Sequence, residues 1–215
     1  MKVDIKKDLY ASEKRMSEIN RETFAGFELP VINMIGSPGS GKTTLLEATL
    51  EFMKSNGKRV GVIEGDIQTS IDSERLEKYG MPVVMVNTGG GCHLSADDIM
   101  EAAQQLPLDS LDLLIIENVG NLVCPAAFDL GESMKIAVLS TPEGDEKPLK
   151  YPALFRKAHC AVISKAELAD VCRFDMEQAK DNIRSVNADV KILPLSVFEG
   201  TGMEEYFEFV MGLME

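Results

Sequence analysis

No stretch of this 215-residue chain is long and apolar enough to span a bilayer, and the segment from Met1 to Asp8 lacks the apolar core of a secretion signal. The expected location is therefore the cytoplasm. Positive charge is also in deficit: 22 Lys and Arg stand against 35 Asp and Glu, a formal net charge of −13. Such a surface repels phosphate backbones and anionic lipid, so neither nucleic acid nor a membrane is an expected partner, and an anionic ligand has to be held by a local site. Cysteine is sparse, at Cys92, Cys124, Cys160 and Cys172 alone. In a reducing compartment these point to metal ligation or plain burial rather than disulfides. Internal repeats and low-complexity tracts are missing too. What the chain does have is 45% hydrophobic residues, enough for a real core, which excludes a disordered or collagenous polymer. Its length suits one α/β domain.

Residues 1–28 read as an N-terminal helical extension, with Leu9, Met16 and Ile19 set among charges, packed on the main domain or on a partner. The main domain is expected over 29–215. After Pro30, apolar runs alternate with segments of helical spacing. Strands are expected at Val31–Ile35, Arg59–Glu64, Pro82–Val86, Leu111–Glu117, Met134–Ser140, Cys160–Ser164 and Val190–Pro194. Helices are expected at Thr43–Met53, Asp72–Tyr79, Ser95–Gln105, Asp175–Ser185 and from Met203 onward. Continuous apolar strands separated by helices imply an α/β fold, a mostly parallel central sheet with helices on both faces. The segments Thr88–Leu94 and Asn118–Gly131 then become loops at the carboxyl ends of strands, where such proteins build their sites.

Gly36-Ser37-Pro38-Gly39-Ser40-Gly41-Lys42-Thr43 fits the P-loop pattern without a mismatch, after an apolar strand and at the start of a helix. Glycines let backbone N–H groups turn inward around a β-phosphate, Lys42 neutralises β and γ oxygens, and the Thr43 hydroxyl is a Mg²⁺ ligand. The following helix, through Thr44, turns its positive end to the same phosphates. A P-loop needs a further magnesium-side carboxylate at the end of another strand. Asp66 and Glu117 are the expected pair, whereas Glu64 reads as a strand-end charge. Gly120 lets a backbone N–H approach the γ-phosphate. No free catalytic base is evident, so hydrolysis should be slow, with Asp66 positioning the attacking water.

Gly89-Gly90-Gly91-Cys92-His93 follows a strand, and Cys124 follows Glu117 by seven positions. Adjacent Cys and His share an ion with a distant third residue only if the loop turns sharply, which the three glycines permit. Two thiolates and an imidazole suit Ni²⁺ or Zn²⁺. Three ligands leave the shell incomplete; a second subunit completes it, or a departing ion uses the open position. His159, Cys160 and Cys172 are expected to pack rather than ligate.

P-loop ATPases of the deviant type carry a lysine after the first glycine, where this chain has Ser37; it resembles instead the G proteins of the same SIMIBI class. Those read guanine with Asn-Lys-x-Asp at a strand end, and the matching segment here is Ser164-Lys165-Ala166-Glu167. The lysine stem and a carboxylate remain, but Ser replaces Asn, and the longer Glu167 must retract to pair with the base. The Leu195-Ser196-Val197 segment with Glu199–Met203 looks like the loop that closes the base pocket in such proteins.

With these residues assembled, the chain resembles the HypB family of hydrogenase maturation factors from Pro30 to its C-terminus. The specific pieces are GSPGSGKTTLLE (Gly36–Glu47), EGD (Glu64–Asp66), NTGGGCHL (Asn87–Leu94), ENVGNLVCPAAFDLG (Glu117–Gly131) and EGDEKPLKYP (Glu143–Pro152). The resemblance implies a GTPase that dimerises when GTP-bound, with Cys92, His93 and Cys124 forming a metal site at the subunit interface. It also implies delivery of Ni²⁺ to a [NiFe]-hydrogenase large subunit, together with a small zinc-containing nickel-binding accessory protein. Lys147 and Lys150 match basic positions expected to reach nucleotide or the partner subunit. The Cys-rich N-terminal nickel motif and the His-rich tract of some members are absent, so nickel storage is not expected. Two other readings stay open. A urease accessory G protein carries a Cys-Pro-His motif that this chain lacks, and a nucleotide- and metal-binding scaffold would have lost guanine specificity.

Overall fold

The computed structural model describes residues 5–66, 76 and 78–215, with side chains from residue 12 onward apart from that of Asp66. In chain order it contains α1 (Ile5–Gly26), β1 (Val31–Gly36), α2 (Lys42–Ser55), β2 (Val60–Asp66), β3 (Val83–Asn87), α3 (Ala96–Ala103), β4 (Leu113–Glu117) and α4 (Cys124–Ala127). There follow β5 (Met134–Ser140), α5 (Lys147–Lys150), α6 (Pro152–Lys157), β6 (Cys160–Ser164), α7 (Ala169–Cys172), α8 (Met176–Val186), β7 (Lys191–Pro194) and α9 (Met203–Met211). Among the described residues no helix is long and apolar enough to cross a membrane.

The strands form one seven-stranded sheet in the order β3-β2-β4-β1-β5-β6-β7, and every pairing is parallel. Alternation along each strand divides its side chains between two helical layers. Ile32, Met34, Val62, Ile115, Val138 and Val162 face α2 and α9, where Leu46, Leu50, Met53, Tyr206 and Val210 cover them. Ile35, Leu139 and Ile163 meet Leu154, Phe155 and Ile183 of α6 and α8 on the other face. Further along that face Ile63, Leu114 and Ile116 lie under Ile99 and Ala102 of α3, with Phe24 of α1 beside them. Strands buried on both sides read as unbroken apolar runs, which is why their positions were legible in the sequence.

The expected strands all form, with ends shifted by one or two residues: β2 runs on to Asp66 and β4 begins at Leu113. The expected helix at 72–79 falls largely outside the described residues, although Leu76 is buried in the core. The segment Asn118–Gly131, expected as loop, contains the single turn α4, started by Cys124 and Pro125. Proline's preset φ and missing N–H make it a natural first-turn residue. Short α5, α6 and α7 were not anticipated, because runs of four to six residues are too brief to show helical periodicity.

Candidate nucleotide and metal sites

The sheet order puts β1 between β4 and β5, so the P-loop leaves the middle of the sheet with the end of β4 beside it. Gly39 and Gly41 have φ of 73° and 91°, a region costly for other residues. A Cβ on Gly36 would fall 2.5 Å from Ser40 Oγ and 2.7 Å from the Val138 carbonyl oxygen. The buried Lys42 ammonium donates to the carbonyls of Gly36 and Ser37, each at 3.2 Å, and so lies over the loop it belongs to.

Glu117 is set in register with Met34 on one side and Glu64 on the other. Its carboxylate accepts a hydrogen bond from the Thr43 hydroxyl at 2.7 Å. Two of the three expected magnesium groups, Thr43 and Glu117, therefore meet at one point, and hard oxygen donors of this kind suit Mg²⁺. Glu64 lies inside β2 and is buried, not a solvated strand end, because β2 continues two residues beyond it. Asp66 ends β2 opposite Asn87, and its side chain is outside the described residues. Gly120 packs against the P-loop: a Cβ there would come within 2.9–3.0 Å of three Pro38 atoms.

The expected base site also assembles. Ser164 is buried, and its hydroxyl donates to the Ser40 carbonyl at 2.6 Å. The residue that replaces asparagine thus ties the base loop to the phosphate loop. Lys165 adopts a left-handed backbone, φ 57°, its carbonyl held by Thr141 Oγ1 at 2.7 Å, and its ammonium crosses to the Gly39 carbonyl at 2.8 Å. Together with Gly41, Thr44, Glu167, Val197 and Phe198 these residues line a cleft of about 270 Å³. Glu167 Oε2 is shielded from solvent and has no hydrogen-bond partner. Ser196 does not face the cleft; it is fully buried, its hydroxyl accepting from the Glu199 amide and shaping the loop. Phe198 was not singled out from sequence, and it is 90% exposed at the cleft's mouth.

The ligating atoms of Cys92, His93 and Cys124 all lie within 4.8 Å of one another. Loops after β3 and β4 bring them together because those strands flank β2 at their carboxyl ends. His93 stacks on Phe128, with ring centroids 4.1 Å apart, and Asn121 Nδ2 donates to the Cys92 carbonyl at 3.3 Å. The Cys92 thiol is pushed above its ordinary pKa, first by hydrogen bonding with Cys124 and then by burial. Metal binding there displaces protons. Cys160 is buried as expected. His159 is exposed, its Nδ1 accepting from the Lys135 amide, and Cys172 is exposed on the surface turn α7, so neither packs as anticipated. Lys147 pairs with Glu143 at 3.3 Å and lies over the Tyr151 ring, while Lys150 pairs with Glu146 at 3.0 Å. Both lysines stay within their own segment.

Residues 30–194 match the family model described as CobW/HypB/UreG, nucleotide-binding domain. The hydrogenase maturation factor HypB of Escherichia coli is 45% identical over 208 residues, 97% of this chain and 71% of that protein. The probable HypB of Methanocaldococcus jannaschii is 39% identical, covering 97% of this chain and 94% of its own. Among solved structures, HypB from Helicobacter pylori in complex with nickel superposes with a TM-score of 0.90 at 38% identity, covering 94% of this chain and 95% of that one.

Proposed function

Since this chain belongs to the HypB family of hydrogenase maturation factors, we propose that it is a GTP-hydrolysing nickel metallochaperone whose nucleotide state sets its grip on the metal. The observation that carries this reading is the short run from Glu117 to Cys124. It begins at the carboxylate bonded to Thr43 of the phosphate loop and ends at a thiol within 4.8 Å of two other metal ligands. Only seven residues of backbone separate the two groups, so a shift at one end has a short path to the other.

The P-loop amides and Lys42 hold the triphosphate, and Thr43 and Glu117, with Asp66, would hold Mg²⁺. That ion, when bound, neutralises charge on the β and γ oxygens. Lys165 covers one face of the base. Glu167 lines the same cleft with an unpaired, solvent-shielded oxygen. Guanine offers N1–H and N2–H donors to such a carboxylate, whereas adenine turns the lone pair of N1 toward it and is repelled. In hydrolysis, water adds to the γ-phosphorus as its bond to the β-bridging oxygen breaks, giving GDP and phosphate, with Asp66 orienting the water. With no neutral base at hand the step is slow.

The cargo is Ni²⁺, or Zn²⁺ in its place, held by Cys92, His93 and Cys124. Three ligands leave room for a fourth from a second copy of the chain, which fits a GTP-promoted homodimer, or from a receiving protein. The receivers are the small nickel-binding accessory protein and the [NiFe]-hydrogenase large subunit. Contacts to the γ-phosphate through Gly120 exist only before hydrolysis, so metal affinity and nucleotide state are linked reciprocally by about 1–3 kcal/mol. Titration of Ni²⁺ into the protein loaded with GDP and with a non-hydrolysable GTP analogue tests this. Affinities differing by several-fold support the switch and equal affinities remove it. Phosphate release from GTP with none from ATP supports guanine selectivity; no turnover of either favours a scaffold.

A further inference from the structure

Resting on the nucleotide–nickel coupling proposed above, we infer that Asn118 is the positioning residue that carries nucleotide state from the end of β4 to the Cys92-His93 side of the metal site. Covalent continuity from Glu117 reaches only Cys124. The other two ligands sit on the loop after β3, which Asn121 of the same run meets at the Cys92 carbonyl, and a link from that loop to the Glu117 end is still needed.

Asn118 provides it. It is the residue after Glu117, is buried, and its own amide is anchored on the Met34 carbonyl of β1 at 3.0 Å. Its side-chain oxygen accepts the backbone N–H of Leu94, the residue directly after His93, at 3.3 Å, and that of Val119 at 3.0 Å. Its amino group donates to Asn33 Oδ1 at 3.2 Å, and Asn33 donates in turn to Glu132 Oε1 at 3.3 Å. Glu132 is ion-paired with Lys135, and its other oxygen accepts from the Leu130 amide at 2.7 Å. From the opposite side Asn20 of α1 donates to the carbonyls of Leu130, at 2.9 Å, and Ala96, at 2.8 Å.

These bonds close a ring: Leu94 to Asn118, Asn33, Glu132, Leu130, Asn20, Ala96 and back to Leu94. The ring ties together both segments that bear metal ligands. Buried polar groups among apolar neighbours are costly unless hydrogen-bonded, and of this ring's side-chain atoms Asn20 Oδ1 is left without a partner among the described residues while the linking bonds are all made, so the frame has few geometries open to it. Only one of its members, Asn118, is also joined to the Mg²⁺-side carboxylate. A rotation of the backbone at Glu117 changes where the Leu94 N–H is held, and His93 moves with it. Asn20 holds the same loops from α1, and its own bonds go to Leu130 and Ala96 rather than to the phosphate loop, so it is expected to brace both nucleotide states alike.

The test measures Ni²⁺ affinity in the GDP and GTP-analogue states of the full chain for the wild type, Asn118→Ser and Asn20→Ala. Serine is too short to reach Leu94, and the ratio between states is expected to fall from the wild-type value, about 5–150-fold for ordinary couplings, to below about twofold, with GDP still bound. Asn20→Ala is expected to weaken nickel equally in both states. An unchanged ratio in Asn118→Ser overturns the role of Asn118 while leaving the coupling in place. A wild-type ratio of one overturns the coupling and this inference together. Should Asn118→Ser not fold, hydrogen exchange of the Leu94 amide in the wild type reads the same contact. Protection that differs between the two nucleotide states supports the role, and identical protection overturns it.

Discussion

Residue-scale consequences follow at Glu167, at Gly120 and at the cysteines. Glu167 has an oxygen shielded from water and unpartnered at the base cleft, and a hydrogen bond to a charged acceptor contributes about 1.5–3 kcal/mol. Glu167→Ala is therefore expected to weaken GDP about 10–150-fold and to tighten ADP, whose N1 the carboxylate repels, as read by calorimetry. Gly120 tolerates no methyl, because Pro38 backbone atoms stand 3.0 Å from where it would go. Gly120→Ala should cost about 1–3 kcal/mol in overpacking and loosen nucleotide binding, visible as a lower midpoint of thermal unfolding that added GDP restores only in part. The cysteines sort by environment. Burial pushes the Cys160 thiol up to about 12, so it is inert, whereas Cys92 and Cys172 are exposed. Alkylation followed by mass spectrometry should mark Cys92 and Cys172, spare Cys160, and lose Cys92 but not Cys172 once nickel is added.

At the scale of elements, α1 is more than a cover. Arg21 holds Asp129 through two bonds of 2.8 and 2.7 Å, next to the loop whose Phe128 supports His93. Burial alone would raise the Asp129 carboxyl, but the Gly131 amide and Arg21 outweigh it and hold the group below the usual carboxylate range. A depressed carboxylate contributes stability above its unfolded pKa, near 3.9, and the contribution is lost as pH falls through the lower folded value. The tie is thus intact from pH 5 to 8. Arg21→Gln should raise the Asp129 pKa, followed by carbon-13 NMR, and cost no more than about 1 kcal/mol, since both partners are half exposed. A value that stays depressed would assign the shift to the Gly131 amide and the nearby Lys135 charge.

For the whole molecule, the sheet order matters most. Placing β1 beside β4, and β4 next to β2 and then β3, gathers the P-loop, Glu117 and the loops that carry Cys92, His93 and Cys124 at one end of the sheet. An acidic surface of net charge −13 repels a second copy of itself, so association needs specific contacts and should strengthen with ionic strength. Sedimentation with GDP is expected to give a monomer, and with Mg²⁺ and a non-hydrolysable GTP analogue a dimer. A monomer in both would remove the partner copy as the source of a fourth ligand.

Much of this was determined by the sequence alone. The seven strands, the P-loop and the Cys92-His93 and Cys124 pair are local in sequence, because hydrophobic periodicity and glycine spacing act over a few residues. The short turns α4 to α7 were not, being too brief to carry a period, and neither was the exposure of Cys172 or His159. Tertiary structure alone decided which distant groups meet: Thr43 with Glu117, Ser164 with Ser40, and Leu94 with Asn118. An asparagine within an apolar strand, such as Asn33, is a visible oddity, but its partners lie 85 and 99 residues away. Hydrogen bonds over such separations follow from strand order and register, which no local pattern encodes.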